Sequence, residues 1–372
     1  MVWGRNEDAL PRTRIDRLLD HAVASPLVIL RAPRGAGKRV AVRGWLSRNE
    51  APDNSWSWID CDDSVESLGV ELARHYAVAT DPGSHLVVLC GFGVRHEGPL
   101  RNILEETVRE HPGRRLILMT REFLELERRR SLLPVESAVL PPHEFSFTSE
   151  EAVAYFHGTA LEPFAGQLAK DLGGTPQLLH IAKLRAQTME PPVMVHAWEK
   201  SGKPASPLLP PGLGQSQLDP QSRAYLLGIR RAVARDVKMM LEAEALAPGQ
   251  LDFLARLAVP AVVPAELLAQ ISQHHAVDWL PDLERRGLVY RASGNVDEDY
   301  CLHPVLCQVL LESHLASDPR RLNSLRRICA DFEMTQGSAF RALRHALAIP
   351  DYQLASDVLR MHLDEYMGGE LG

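Results

Sequence analysis

Residues 27–45 read LVILRAPRGAGKRVAVRGW. Leu27 to Leu30 form a short apolar run with no polar face, the pattern of a strand covered on both sides. The turn Ala32 to Gly37 follows, and Arg39 to Arg48 carries a helical pattern. A buried strand, a Gly-rich turn and a lysine, Lys38, at a helix start are the parts of a P-loop. Backbone N–H groups of such a turn cradle phosphates, the helix dipole favours the anion, and the lysine reaches the β- and γ-phosphates. The candidate phosphate-binding residues are therefore Pro33, Arg34, Gly35, Ala36, Gly37, Lys38, Arg39 and Val40. Two positions depart from the pattern: Ala32 stands for its first glycine, and Arg39 stands where Ser or Thr binds Mg²⁺. From the turn alone, a tight connection with Lys38 as a solvated helix residue remains open.

The partner of a P-loop is an apolar strand ending in acidic residues that hold Mg²⁺ and orient the attacking water. Here Leu86 to Leu89 runs into Cys90-Gly91, and neither residue is a ligand for a hard cation. The nearest carboxylates, Asp81 and Glu97, stand away from the expected place. Both metal-binding positions are thus altered, and no catalytic residue or metal ligand is expected. Arg39 either replaces the metal electrostatically, since a guanidinium neutralises phosphate, or points to solvent.

Outward from this centre the first half alternates helix and strand patterns. Helices are expected over Arg14–Ser25, Val65–Ala77 and Leu100–Glu110, with further strands over Ser55–Asp60, Leu86–Cys90 and Arg115–Thr120. Apolar strands separated by helices predict a parallel sheet with helices on both sides, an α/β P-loop domain over residues 1–148. Phe147-Thr148 before Ser149-Glu150-Glu151 predicts a helix start, and a helical lid over 149–200 is interrupted at Gly173-Gly174-Thr175-Pro176. Residues 201–222 are rich in Pro, Gly and Ser and read as a linker.

The second half changes character. Ala224–Leu246 is helical, then Leu251–Leu257, Pro264–Gln273 and Val277–Arg286 give three helix patterns. Gly287–Tyr290, a turn at Ser293-Gly294-Asn295 and Tyr300–His303 predict a hairpin, and His303-Pro304 opens a helix to His314. Helices followed by a two-strand wing predict a winged-helix domain over 223–318. From 319 to 372 helix pairs, Leu322–Gln336 with Ala339–Ala348 and then Tyr352–His362, predict a tetratricopeptide-like segment, the start of a helical-repeat region.

Composition narrows the function classes. The chain has 372 residues, 45% hydrophobic and 24% charged, with a formal net charge of −7. That balance excludes a chain whose bulk grips nucleic acid, and collagen-like, coiled-coil and disordered classes with it. No apolar run approaches the length of a spanning helix, and the start has no signal-peptide core, so a cytoplasmic protein without membrane contact is expected. Five cysteines without a CxxC pair predict reduced, buried thiols. The arginine runs Arg128-Arg129-Arg130 and Arg285-Arg286 read as solvated faces.

The order of these motifs resembles the N-terminal part of the large ATP-dependent LuxR-type transcription regulators, the group typified by the maltose-regulon activator, within the STAND class of signal-transducing NTPases. The resemblance is carried by Leu10-Pro11 with Arg14-Ile15, by Ala32 to Lys38, by Trp58-Ile59-Asp60 and by Leu118-Met119-Thr120-Arg121. Further along it rests on Phe145 to Thr148 with Glu150-Glu151, Gly174-Thr175-Pro176, Leu302-His303-Pro304 and Arg344-His345-Ala346-Leu347. It implies a sensor role for Arg121 at the γ-phosphate, packing of Pro176 on adenine, and contact of His303 with the β-phosphate of ADP. The residues themselves leave a surface ion pair, a helix breaker and a core histidine open as the respective alternatives. The resemblance also implies ATP or ADP as ligand, with or without Mg²⁺, and a protein partner or self-association. DNA would be contacted only through a C-terminal helix-turn-helix that this sequence does not contain.

Three functions follow and stay distinct: a nucleotide-gated switch with little or no hydrolysis, a nucleotide-free scaffold acting through protein contacts, and an active ATPase. The altered metal positions speak against the third.

Overall fold

The computed structural model describes residues 10–48, 56–61, 68–72, 74, 85–98, 113–128, 137–190, 218–272, 276–291, 299–336, 338–349 and 352–361. The chain divides into two units, Met1–Val233 with Leu283–Ser293, and Ala234–Asp282 with Gly294–Gly372.

The first unit is built on a five-stranded sheet, β1 (Leu27–Arg31), β2 (Trp56–Asp60), β3 (Leu86–Phe92), β4 (Arg115–Thr120) and β5 (Ser137–Leu140), in the order β2-β3-β4-β1-β5. Every neighbouring pair is parallel. Alternation along the strands sorts their side chains into two cores. Leu27, Ile29, Leu116, Leu118, Val87 and Leu89 pack with Leu68, Leu72, Leu124 and Leu126. Val28, Leu30, Ile117, Met119 and Val88 pack with Ile15 and Leu19 of helix α1 (Thr13–Ala22) and with Val42, Trp45 and Leu46 of helix α2 (Lys38–Arg48). Because both faces are covered, the strands carry no polar side, which is why they read as continuous apolar runs.

Strand order also sets a topological switch point. From β1 the chain crosses to β2 at one edge, and from β4 it crosses to β5 at the other, while β1 and β4 are neighbours. Their C-terminal ends therefore open a crevice at a topological switch point, where α/β sheets bind ligands. The loop after β1 and Arg121 after β4 both emerge there.

Beyond the sheet, helix Ser149–Phe156 begins with a capping box. Thr148 accepts from the Glu151 N–H at 3.1 Å, and the Glu151 carboxylate accepts from the Thr148 N–H at 3.0 Å. Arg12 holds this start to the body through the carbonyls of Phe145 and Ser146 and an ion pair with Glu151 at 2.9 Å. Thr148→Ala is expected to lower stability by about 1 kcal/mol, measured as a shift of the urea midpoint. Gly174, at φ +65°, leaves no room for a side chain: a Cβ there would stand 2.6 Å from the Phe147 carbonyl oxygen. The turn it makes starts helix Pro176–Ala186 with proline in its first turn.

In the second unit, helices Pro248–Leu257, Ala265–Ile271 and Pro304–Leu310 accompany an antiparallel pair, Val262–Val263 against Tyr300–Cys301. Phe253 and Trp279 meet edge to face, 5.9 Å between centroids. Helices Pro319–Gln336, Ala339–Leu347 and Tyr352–Met361 follow, and Ala342 and Ala346 pack on Ala355 and Val358.

Several details differ from the sequence expectation. β5 and the two-residue strand Val262–Val263 lack an apolar run long enough to stand out. The expected helix Val277–Arg286 is a 3-10 turn, Ala276–Trp279, followed by a helix, Leu280–Arg286. The expected helix Leu100–Glu110, Asp81, most of the linker and the turn at Ser293-Gly294-Asn295 lie outside the described residues. Of Val65–Ala77, residues 68–72 and 74 are helical. Among the described residues no helix is long and apolar enough to cross a membrane. All five cysteines are free and buried.

Candidate functional site

The loop after β1 turns through Gly35 at φ +85° and Gly37 at φ +82°, conformations that side chains rarely adopt. The start of helix Pro176–Ala186 braces this turn. The Gln177 N–H donates to the Gly35 carbonyl at 3.1 Å, and Cγ of Pro176 lies 3.4 Å from where a Cβ on Gly37 would stand. Pro176 thus packs directly on the Gly-rich loop. Pro33 and Gly35 are half-buried, Ala36 is buried, and Arg34 and Val40 are exposed.

Lys38 opens α2 and folds back over the loop. Its Nζ donates to the Ala32 carbonyl and, at 3.3 Å, to that of Pro33. Burial pushes this ammonium down to about 7, and the neighbouring Arg121 and Arg39 push the same way. Three cationic residues therefore gather at the crevice, a setting that favours an anion.

Arg39 reaches across the end of the sheet. Its Nε donates to Sγ of Cys90 at 2.7 Å, and its Nη2 pairs with Oδ1 of Asp60 at 2.5 Å. Burial pushes the Cys90 thiol up. Gly91, at φ +84°, sits in a bulge between Cys90 and Phe92. Glu97 braces the following chain, where its carboxylate accepts the N–H groups of Glu125 and Leu126 at 2.9 and 2.8 Å. The Mg²⁺ that P-loop folds imply does not fit this set. A thiol, a glycine and a guanidinium stand at its positions, and the nearby carboxylate of Asp60 is already paired. Among the described residues no group of three His, Cys, Asp or Glu side chains is arranged to hold a metal ion.

Residues 283–291, part of the first unit, lie against the loop and the chain that follows β4. A Cβ on Gly287, at φ +77°, would stand 2.8 Å from the Arg34 nitrogen. Arg121 Nη1 donates to the Arg285 carbonyl at 3.1 Å, and Glu284 accepts from the Phe123 N–H at 3.1 Å. Burial pushes Glu284 up to about 6. Beneath this, Arg31 pairs with Glu127 at 3.0 Å, both side chains about 95% shielded, and donates to the Arg291 carbonyl at 2.8 Å. The Phe123 ring has the guanidinium carbons of Arg31 and Arg291 at 5.0 and 5.1 Å from its centroid.

The structure therefore brings Gly35, Gly37, Lys38, Arg39, Arg121 and Pro176 together. His303 belongs to the second unit, where its Nδ1 accepts from the Val305 N–H at 3.1 Å and caps helix Pro304–Leu310. That bond places the proton of the neutral ring on Nε2. Asp60, Glu127 and Glu284 do not stand out as site residues in the sequence. Each acts through a partner far along the chain, and only the acidic end of the strand Trp58-Ile59-Asp60 offers a signal.

Residues 243–322 match the family model of the MalT winged helix domain. Among solved structures, the Walker-type ATPase of Pyrococcus abyssi is similar in fold, with a TM-score of 0.52 and 15% identity. The match covers 82% of this chain and 97% of that one. No curated protein sequence matches the chain. The α/β unit has a P-loop ATPase-like fold, and with the winged-helix match it fits the NTPase plus winged-helix region of MalT-like regulators.

Proposed function

We propose that the chain is a STAND-type switch module of a LuxR-family transcriptional regulator. It binds ATP or ADP at the loop Pro33–Val40 with little or no hydrolysis, and occupancy controls the arrangement of its domains. One observation carries this reading: Gly287 lies against Arg34 of the Gly-rich loop and the Arg285 carbonyl accepts from Arg121, and residues 283–291 lie within the stretch matching a MalT winged helix. A phosphate in the crevice competes with the Arg285 carbonyl for Arg121, so a bound nucleotide and this segment are energetically linked. A few kcal/mol of differential binding is enough to exchange the dominant state.

In this reading Lys38 and the N–H groups of Gly35 to Lys38 hold the phosphates, Arg121 answers to the γ-phosphate, Pro176 packs on the adenine, and His303 contacts the β-phosphate of ADP. Slow or absent turnover follows from the residues at both metal positions. A cytoplasmic setting and a protein partner or self-association belong to the same proposal.

Calorimetry of the full chain with ADP, joined to hydrogen exchange of residues 283–291, tests it. Binding that changes exchange in that segment is expected, with no ATP turnover above background. Absence of binding at saturating ADP replaces the switch by a scaffold acting through protein contacts. Metal-dependent turnover at ordinary enzyme rates, lost in Lys38→Ala, makes it an ATPase.

A further inference from the structure

We propose that Arg39 is the resident cation of the crevice, held in place by Asp60 and Cys90, and that a nucleotide phosphate is bound against this guanidinium without a divalent metal. The inference rests on the nucleotide reading above and concerns how that site neutralises charge.

P-loop sites hold their metal from two directions, a hydroxyl just after the loop lysine and acids at the end of a neighbouring strand. In this chain the two places are joined directly by one side chain. Arg39 follows Lys38, and its Nε meets Cys90 at the end of β3. Asp60 and Cys90 are register partners on the parallel strands β2 and β3, so both acceptors stand at the same level of the C-terminal edge. The Cys61 N–H donates to the Cys90 carbonyl at 2.7 Å and fixes that edge. The guanidinium is bonded through Nε and Nη2, and the side chain is 56% exposed, so it is oriented by the protein yet open to an anion.

A dication entering here would meet this positive charge, a soft thiol and a carboxylate already paired. A phosphate would meet a planar donor already aimed, the geometry in which arginine binds oxyanions well. Asp60 is a positioning residue: it acts on phosphate only through Arg39.

ADP is titrated into the full chain in Mg²⁺ and in EDTA. The expected Kd is the same within about twofold in both, whereas Arg39→Ser weakens binding about tenfold or more in EDTA. Asp60→Ala is expected to weaken binding several-fold without creating a metal dependence. Arg39→Ser combined with Cys90→Asp is expected to bind weakly in EDTA and to recover with Mg²⁺. If the double variant does not fold, the two single variants decide. Tenfold tightening of the wild type by Mg²⁺, or unchanged affinity in Arg39→Ser, overturns the resident cation while leaving the switch standing. No binding to the wild type in either buffer overturns the functional reading itself.

Discussion

ADP affinity is expected to fall about twentyfold between pH 7 and pH 9. Lys38 titrates near 7 in the free chain because burial disfavours its charged form, and Arg121 and Arg39 push the same way. A phosphate favours the charged form and raises that value, so binding takes up a proton. The contribution is fully present below pH 7, where Lys38 is charged in both states. It is lost as pH rises from 7 toward the bound value, since deprotonating the free chain then competes with binding. The phosphate, with its second ionisation near 6, is charged throughout this range. Calorimetry in two buffers of different ionisation heat is expected to show close to one proton taken up at pH 8. Lys38→Ala is expected to bind about thirtyfold more weakly at pH 7, with a flat profile above it. A flat profile in the wild type would sink the assignment of Lys38 as the phosphate ligand.

Glu127→Ala is expected to destabilise the first unit by about 3 kcal/mol, because it leaves the Arg31 guanidinium buried without its carboxylate. Arg31→Met combined with Glu127→Leu is expected to recover most of the loss, since removing both charges removes both desolvation costs. The urea midpoints of the three variants check this. A single variant no less stable than the double one would show that the Arg291 carbonyl and the Phe123 face suffice for Arg31.

The features legible in the sequence are the local ones. Leu27–Leu30, Leu86–Cys90 and Arg115–Thr120 announce themselves because strands covered on both faces have no polar side. The glycines that turn the loop, the Thr148-Glu151 cap and the proline starting the lid helix are short-range chemistry. β5 escapes notice because its four residues are mostly half-buried, at the edge of the sheet. At the site, Arg39 and Cys90-Gly91 read along the chain as two separate losses. Their joining through one guanidinium, with Asp60 as the third member, depends on strand order. The Arg31–Glu127 pair spans 96 residues, so no window along the chain holds both partners. Only the family resemblance puts Pro176 forward for adenine, and its place against Gly37 adds a bracing contact that only the folded chain reveals.

The five buried thiols fall on both sides of the division between the units: Cys61 and Cys90 in the first, Cys301, Cys307 and Cys329 in the second. Burial pushes Cys301 up to about 11 and Cys307 and Cys329 up to about 12, so hardly any thiolate exists at neutral pH. A maleimide or disulfide reagent reaches them only when the surrounding structure opens, so its rate measures the free energy of that opening. The wild-type chain thus carries a separate set of internal clocks for each unit, and peptide mass analysis after labelling reads which of the two a ligand slows.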